Sequence, residues 1–212
     1  MIEPIIEVFT MALNKINGSV GNFTLSIVLL TIVVKLLLLP LTLKQDKSMR
    51  AMKELQPEME EIKKKFPNKQ DQQMKMAELY KEKKINPVAG CLPLLIQMPI
   101  LIALYKVFQN PVNIPAGAHF LMWDLAKPDP AIIKVLPLLN GVLTFLQQKL
   151  MSTGNTDDNP MAKQMLIMMP IMLTFISWKM PVGLLIYWVS SSAISIIQQQ
   201  LIMRLGDKAN VK

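Results

Sequence analysis

With a single cysteine, Cys91, the chain has no internal disulfide, and with a single histidine, His119, it has no imidazole or thiolate cluster to hold a metal. Cys91 is read as a small packing residue. No phosphate-cradling loop, HExxH motif or nucleophile triad appears, so nucleotide-driven and hydrolytic chemistry have no site, and neither enzymatic activity nor a cofactor is expected. The first residues carry Glu3 and Glu7 and lack a basic start, so they are not expected to be a secretory signal. What is present is apolar bulk. Of 212 residues 51% are hydrophobic, in long unbroken blocks, beside a formal net charge of +8. That combination excludes an ordinary soluble domain and describes a polytopic membrane protein.

Five apolar stretches are long enough to be spans: Phe23 to Leu43, Val88 to Phe108, Ile132 to Leu150, Met161 to Trp178, and Val182 to Met203. Only Lys179, Met180 and Pro181 separate the last two, which predicts an antiparallel pair. Pro93, Pro99, Pro137 and Pro170 fall inside spans, where neighbours or water must satisfy the carbonyls they free. The segment from Lys44 to Pro87 carries twelve Lys or Arg, while the connection after the second span carries only Lys127. The basic segment is therefore expected in the cytoplasm, the N-terminus outside and the C-terminus inside.

Lys35 lies in the middle of the first apolar run. A Lys at the centre of a membrane helix costs about 3 kcal/mol unless water, a partner or snorkelling relieves it. The end of the run is eight residues away, roughly 12 Å, so snorkelling recovers part of the distance. Thr24, Thr31, Lys35 and Thr42 recur at spacings of seven, four and seven, which puts a polar stripe on one helix face. Other spans share the feature: Gln97 in the second, Asn140, Thr144 and Gln147 or Gln148 in the third, Trp188, Ser192, Ser195 and Gln199 in the fifth. Each could be packing glue between helices. Four helices with polar faces around one Lys argue for a common water-accessible recess.

Before the first span, Ile2, Ile5, Ile6, Phe9, Leu13 and Ile16 follow helical spacing opposite Glu3, Glu7, Thr10 and Asn14, the pattern of a helix lying in the external interface. In the basic segment, Met49, Met52, Leu55, Met59, Ile62 and Phe66 step by three and four, and Pro67-Asn68 breaks the pattern before a second helical stretch, Gln70 to Lys84. This predicts a two-helix cytoplasmic hairpin. Its Met-rich seam, with Met49, Met52, Met59 and Phe66, suits either self-packing or docking of apolar partners.

The segment Asn86-Pro-Val-Ala-Gly-Cys-Leu-Pro-Leu-Leu-Ile-Gln-Met-Pro-Ile, continuing to Ala103-Leu-Tyr, resembles the YidC family of membrane protein insertases. So do Pro181-Val-Gly-Leu-Leu-Ile-Tyr-Trp and the Gln198-Gln-Gln ending. The resemblance runs from about Gly21 to Arg204 and is to the five-span core, without the additional N-terminal span and large external domain of some members. It implies an all-α membrane protein with five transmembrane helices around a hydrophilic groove open to cytoplasm and lipid. The expected units are an interfacial helix at 1–20, the first span at 21–43, the hairpin at 44–87, the remaining spans at 88–204 and a short cytoplasmic tail at 205–212.

The function so implied is insertion of nascent membrane proteins into the bacterial inner membrane, alone or with the Sec translocon. Lys35 matches the basic groove position, where the family usually has Arg, and Thr31 and Trp188 match positions that touch the client. The second and fourth spans resemble a greasy exit face, to which Met165, Met168, Met169 and Met172 contribute. Implied partners are nascent chains and lipids, with no specific nucleic-acid recognition. Ribosomes are often met through a basic C-terminal tail, which is short here after Met203; Lys63, Lys64 and Lys65 are the other basic candidates. A small secondary transporter or channel for an anionic solute also fits a central cation, but the sequence lacks two similar halves with matched interruptions. A purely structural assembly factor leaves Lys35 and the polar faces without a role.

Overall fold

The computed structural model describes residues 3–85, 92–110, 114–115, 117–121, 123–129, 134–151 and 160–209, with side chains for all but 93, 94, 151, 160–165 and 203–209. Ile2, Cys91 and the first half of the Asn86 motif lie outside these residues. The described chain is almost entirely helical: α1 (Glu3–Val20), α2 (Phe23–Glu54), α3 (Gln56–Lys65), α4 (Lys69–Glu82), α5 (Leu92–Gln109), α6 (Val135–Met151), α7 (Pro160–Ser177) and α8 (Val182–Ala209). A two-residue antiparallel ribbon, β1 (His119–Phe120) and β2 (Trp123–Asp124), lies between α5 and α6.

Local chemistry sets the breaks. Gly21, at φ +69, takes the left-handed conformation that ends α1, and its N–H donates to the Asn17 carbonyl. The Asn22 side chain then accepts from Leu25 N–H and caps α2. At the other end α2 stops where Gln56-Pro57 begins α3, since proline is tolerated in the first turn of a helix but not within one. Phe66 and Pro67 end α3, and Asn68 caps α4 by accepting from Gln70 N–H.

Element ends give the directions of the chain. Thr24, at the start of α2, donates to the His119 carbonyl, while Val182 and Gly183, at the start of α8, donate to the Lys127 and Leu125 carbonyls. Phe108, near the end of α5, packs where a Cβ on Gly183 would sit. The ribbon, the starts of α2 and α8 and the end of α5 therefore share one end of the bundle. At the opposite end Arg50 of α2 reaches the Ile202 carbonyl of α8. So α2 and α8 run parallel, side by side, and α5 runs against them. The apolar core gathers Ile27 and Leu30 from α2, Leu104, Val107 and Phe108 from α5, and Leu184, Leu185 and Tyr187 from α8.

Several expectations need adjusting. The first span does not end as a helix at Leu43: α2 continues without a break through the expected boundary at residue 44 to Glu54, because nothing from Lys44 to Glu54 interrupts its ladder. The hairpin proper is α3 against α4, with Tyr80 donating to Met59 Sδ at 3.4 Å and Gln72 to the Lys63 and Phe66 carbonyls. Its buried apolar residues are Leu55 and Leu79, while Met49, Met52, Met59 and Phe66 are half-buried. The Glu58 carboxylate, 2.8 Å away, holds the exposed Lys83 ammonium above its ordinary pKa. The amphipathic N-terminal helix is more than a surface element: Phe9 and Leu13 are buried in the main core, while Val8 and Met11 stay exposed on its other side. Residues 205–209, expected as tail, continue α8.

The three-residue link does reverse the chain between α7 and α8, yet α7 packs chiefly on α6. The reason is small-residue packing. A Cβ built on Gly141 of α6 would lie 2.0 Å from the Thr174 hydroxyl of α7, so only glycine admits this approach. Gly141→Val is expected to destabilise the protein by about 2 kcal/mol through overpacking, with Thr174→Ala recovering part of the loss. Thermal unfolding in detergent measures both, and an unchanged midpoint for Gly141→Val would contradict the close approach.

Candidate functional site

Lys35 and Ser195 meet across the parallel pair. They lie twelve and thirteen residues into α2 and α8, hence at the same level, and the Lys35 ammonium donates to Ser195 Oγ at 2.7 Å. The cation is half-buried, and among the described residues no carboxylate pairs with it. Around it the apolar length of α2 exposes Ile32, Val33, Leu36 and Leu37 on its other sides. A stem four carbons long therefore turns inward, towards α8, and away from the exposed leucines.

The remaining polar residues singled out in the sequence fall into four places. Thr31, one turn before Lys35, is fully buried and its hydroxyl returns to the Ile27 carbonyl of its own helix. Asn140 and Thr144, one turn apart on α6, are buried, and among the described residues neither the amide atoms of Asn140 nor Thr144 Oγ1 has a hydrogen-bond partner. Helix α6 packs most extensively on α8, where Ser192 is buried and Trp188 is half-buried against the core. Gln97 of α5 donates to the Tyr187 hydroxyl at 3.0 Å, and that hydroxyl also bonds Ser191. Thr24 stands apart, at the ribbon end, about 16 Å along α2 from Lys35.

The ribbon packs at that end. Asp124 accepts from Ala126 N–H and pairs with Lys127, and both hold its carboxyl below the ordinary aspartate range. Pro128 bridges to Pro181, and the Leu136 N–H of α6 donates to the buried Asp129 carboxylate. At the opposite end, Gln45 and Asp46 of α2 are buried beside Gln199 and Ile202 of α8.

On the outside, Leu95, Met98 and Ile102 of α5 and Ile167, Met168, Ile171, Met172 and Phe175 of α7 are exposed apolar faces, with Met169 half-buried. The Met165 side chain lies outside the described residues. Sequence reasoning singled out neither Tyr187 and Ser191 nor Asp46 and Arg50. Tyr187 and Ser191 adjoin Trp188 and Ser192 in the same apolar run, so helical spacing alone hid which of each pair turns inward. Asp46 and Arg50 sit in a charge-rich segment whose composition reads as a solvated face.

A protein-family model described as 60Kd inner membrane protein matches residues 15–209. The chain belongs to this family. It is 53% identical over 195 residues to the membrane protein insertase YidC of Fusobacterium nucleatum, covering 92% of both chains. It is 42% identical to the membrane protein insertase MisCA of Bacillus subtilis, over 99% of this chain and 80% of that one. With YidC of Francisella philomiragia the identity is 41%, and there the match spans 35% of the longer relative. Among solved structures, a crystal structure of an active YidC insertase with its first transmembrane domain resolved superposes with a TM-score of 0.76 at 29% identity, over 92% of this chain and 45% of that one. Within the 60Kd inner membrane protein family, then, this chain carries a Lys35–Ser195 contact between α2 and α8.

The unpartnered atoms of Asn140 and Thr144 give this site a measurable signature. Buried donors and acceptors without partners cost about 1 to 3 kcal/mol each. Water entering between α6 and α8 would satisfy these atoms, so Asn140→Leu is expected to lower the unfolding free energy in detergent by about 1 kcal/mol. A gain in stability on that substitution would show that the amide is buried dry.

Proposed function

We propose that this chain is a membrane protein insertase of the bacterial inner membrane, which takes nascent hydrophobic segments and short polar tails from the cytoplasm into the bilayer. The observation that carries the reading is the Lys35 ammonium turned into the bundle at the Ser195 hydroxyl. Two helices, Phe23–Glu54 and the Val182–Ile202 portion of α8, are long and apolar enough to cross a membrane, and α5 and α7 contain shorter apolar helices. Taking α6 as a further span, we read five in all, α2 and α5 to α8. The basic residues of α2, α3 and α4 put the Arg50 end in the cytoplasm and the ribbon outside.

In this frame the mechanism needs no covalent chemistry. A polar recess along α2, α6 and α8, lined by Lys35, Asn140, Thr144, Ser192 and Ser195 and hydrated from the cytoplasm, lowers the barrier for a client's polar tail. Closure by the ribbon keeps the path from becoming a pore. The ammonium attracts acidic groups on that tail. The client's apolar helix leaves over the exposed faces of α5 and α7, where Met168, Met169 and Met172 give an adaptable surface. An acidic tail moving outward gains about 2.3 kcal/mol per charge for each 100 mV of inside-negative potential. Burial of the client in lipid supplies the rest. The α3/α4 hairpin, with its lysines, is the surface from which ribosome or Sec contacts would be made.

Reconstituted into liposomes, the Lys35→Arg protein is expected to insert clients normally. Lys35→Glu should slow clients with acidic tails by about tenfold or more, the size of one lost charge-assisted contact, and leave clients with neutral tails nearly unaffected. Equal rates for both client classes with Lys35→Glu would rule out charge pairing as the role of this residue.

A further inference from the structure

The polar stripe of α2 does not end at Lys35. Eleven residues further, three turns and about 16 Å along the same face, comes Asp46. Its side chain is buried, with the residue only 5% exposed. Gln199 of α8 donates to the carboxylate, but Oδ2 is sealed from solvent and accepts no hydrogen bond from the described residues. The obvious partner is one turn away. Arg50 stands at the i+4 position, yet its guanidinium is turned across the seam to the Ile202 carbonyl at 3.0 Å.

A carboxylate oxygen held this way retains acceptor capacity for a cationic donor. Removing a carboxylate from water costs several kcal/mol unless a charged or hydrogen-bonding partner compensates, and one amide donor satisfies a single lone pair of the four or so available. A carboxamide or hydroxyl at this position would join α2 to α8 through Gln199 equally well without that cost. The field of the nearby Arg50 offsets the charge only in part, and packing alone does not call for a charge here.

We propose that Asp46 is a specificity-determining residue of the insertase, one that accepts a basic side chain, ammonium or guanidinium, from the cytoplasmic flank of a client. The inference rests on the insertase reading above. As a client enters between the cytoplasmic ends of α2 and α8, the Gln199 contact parts and the freed carboxylate takes the basic group. Lys35, deeper by three turns, faces the acidic or neutral tail that moves outward. The two charges on one helix face thus sort a client's own charge: acidic groups inward to the ammonium, basic groups held back at the carboxylate. Arg50 competes for the same oxygen and sets how strongly it attracts.

The test uses the full chain in liposomes and two single-span clients that differ only in their cytoplasmic flank, three lysines or three glutamines. Wild-type protein should insert the lysine-flanked client faster. Asp46→Asn keeps an acceptor for Gln199 and should reduce that preference by about tenfold, the scale of a charge-assisted hydrogen bond, with the glutamine-flanked client inserted at the wild-type rate. Arg50→Gln should move the preference the opposite way. A purely structural latch between α2 and α8 predicts that both substitutions slow both clients together, and that result overturns the proposal. So does a wild-type preference that survives Asp46→Asn. Failure of wild-type protein to insert even the glutamine-flanked client would count against the insertase reading itself, a separate result.

Discussion

A single cation governs the organisation of this bundle. The Lys35 ammonium sits in the longest apolar helix, where an unrelieved charge would cost about 3 kcal/mol, and it is turned to a serine hydroxyl on a parallel neighbour. One neutral oxygen does not satisfy three donors and a full charge. Under the proposed function water reaches the remaining donors, and the polar residues Asn140, Thr144, Ser192 and Ser195 of α6 and α8 would line its route.

The rest of the fold holds that charge in place. Helices α2 and α8 are kept parallel and in register by fastenings at both ends: backbone hydrogen bonds from Val182 and Gly183 to the ribbon segment, with Thr24 on the ribbon from the other side, and the Arg50–Ile202 contact far away. Phe108 against Gly183 brings α5 onto the start of α8, and Gly141 against Thr174 brings α7 onto α6. Helix α1 seals the side of the bundle with Phe9 and Leu13, and Lys106 of α5 pairs with Glu3 at its start, 3.9 Å away. The ion pair is exposed and contributes little on its own; the apolar burial fixes the helix.

Much of this was legible from spacing alone. The helices fall where the apolar runs and the caps put them, and the polar stripe of α2 was visible as a repeat of sevens and fours. Two things were not. Continuity of α2 to Glu54 was hidden because hydropathy ends at Leu43 while helix propensity does not, and only the Gln56-Pro57 step carries the break. The partners of each polar residue were also hidden. Thr24 and Lys35 share a stripe, yet one meets the ribbon and the other α8, since a stripe gives a direction around one helix and not what faces it. Asp46 was masked by its charged neighbours for the same reason: a composition that suggests solvent says nothing about a parallel helix arriving from 150 residues later.

Hydration around position 35 is the central claim, and thiol accessibility reads it most directly. With Cys91→Ser as background, Lys35→Cys in oriented membrane vesicles should react with a membrane-impermeant thiol reagent added from the cytoplasmic side, and should not react from the outside. Labelling at neither face would mean that this position is dry, and the account of a water-filled path for client tails would be contradicted.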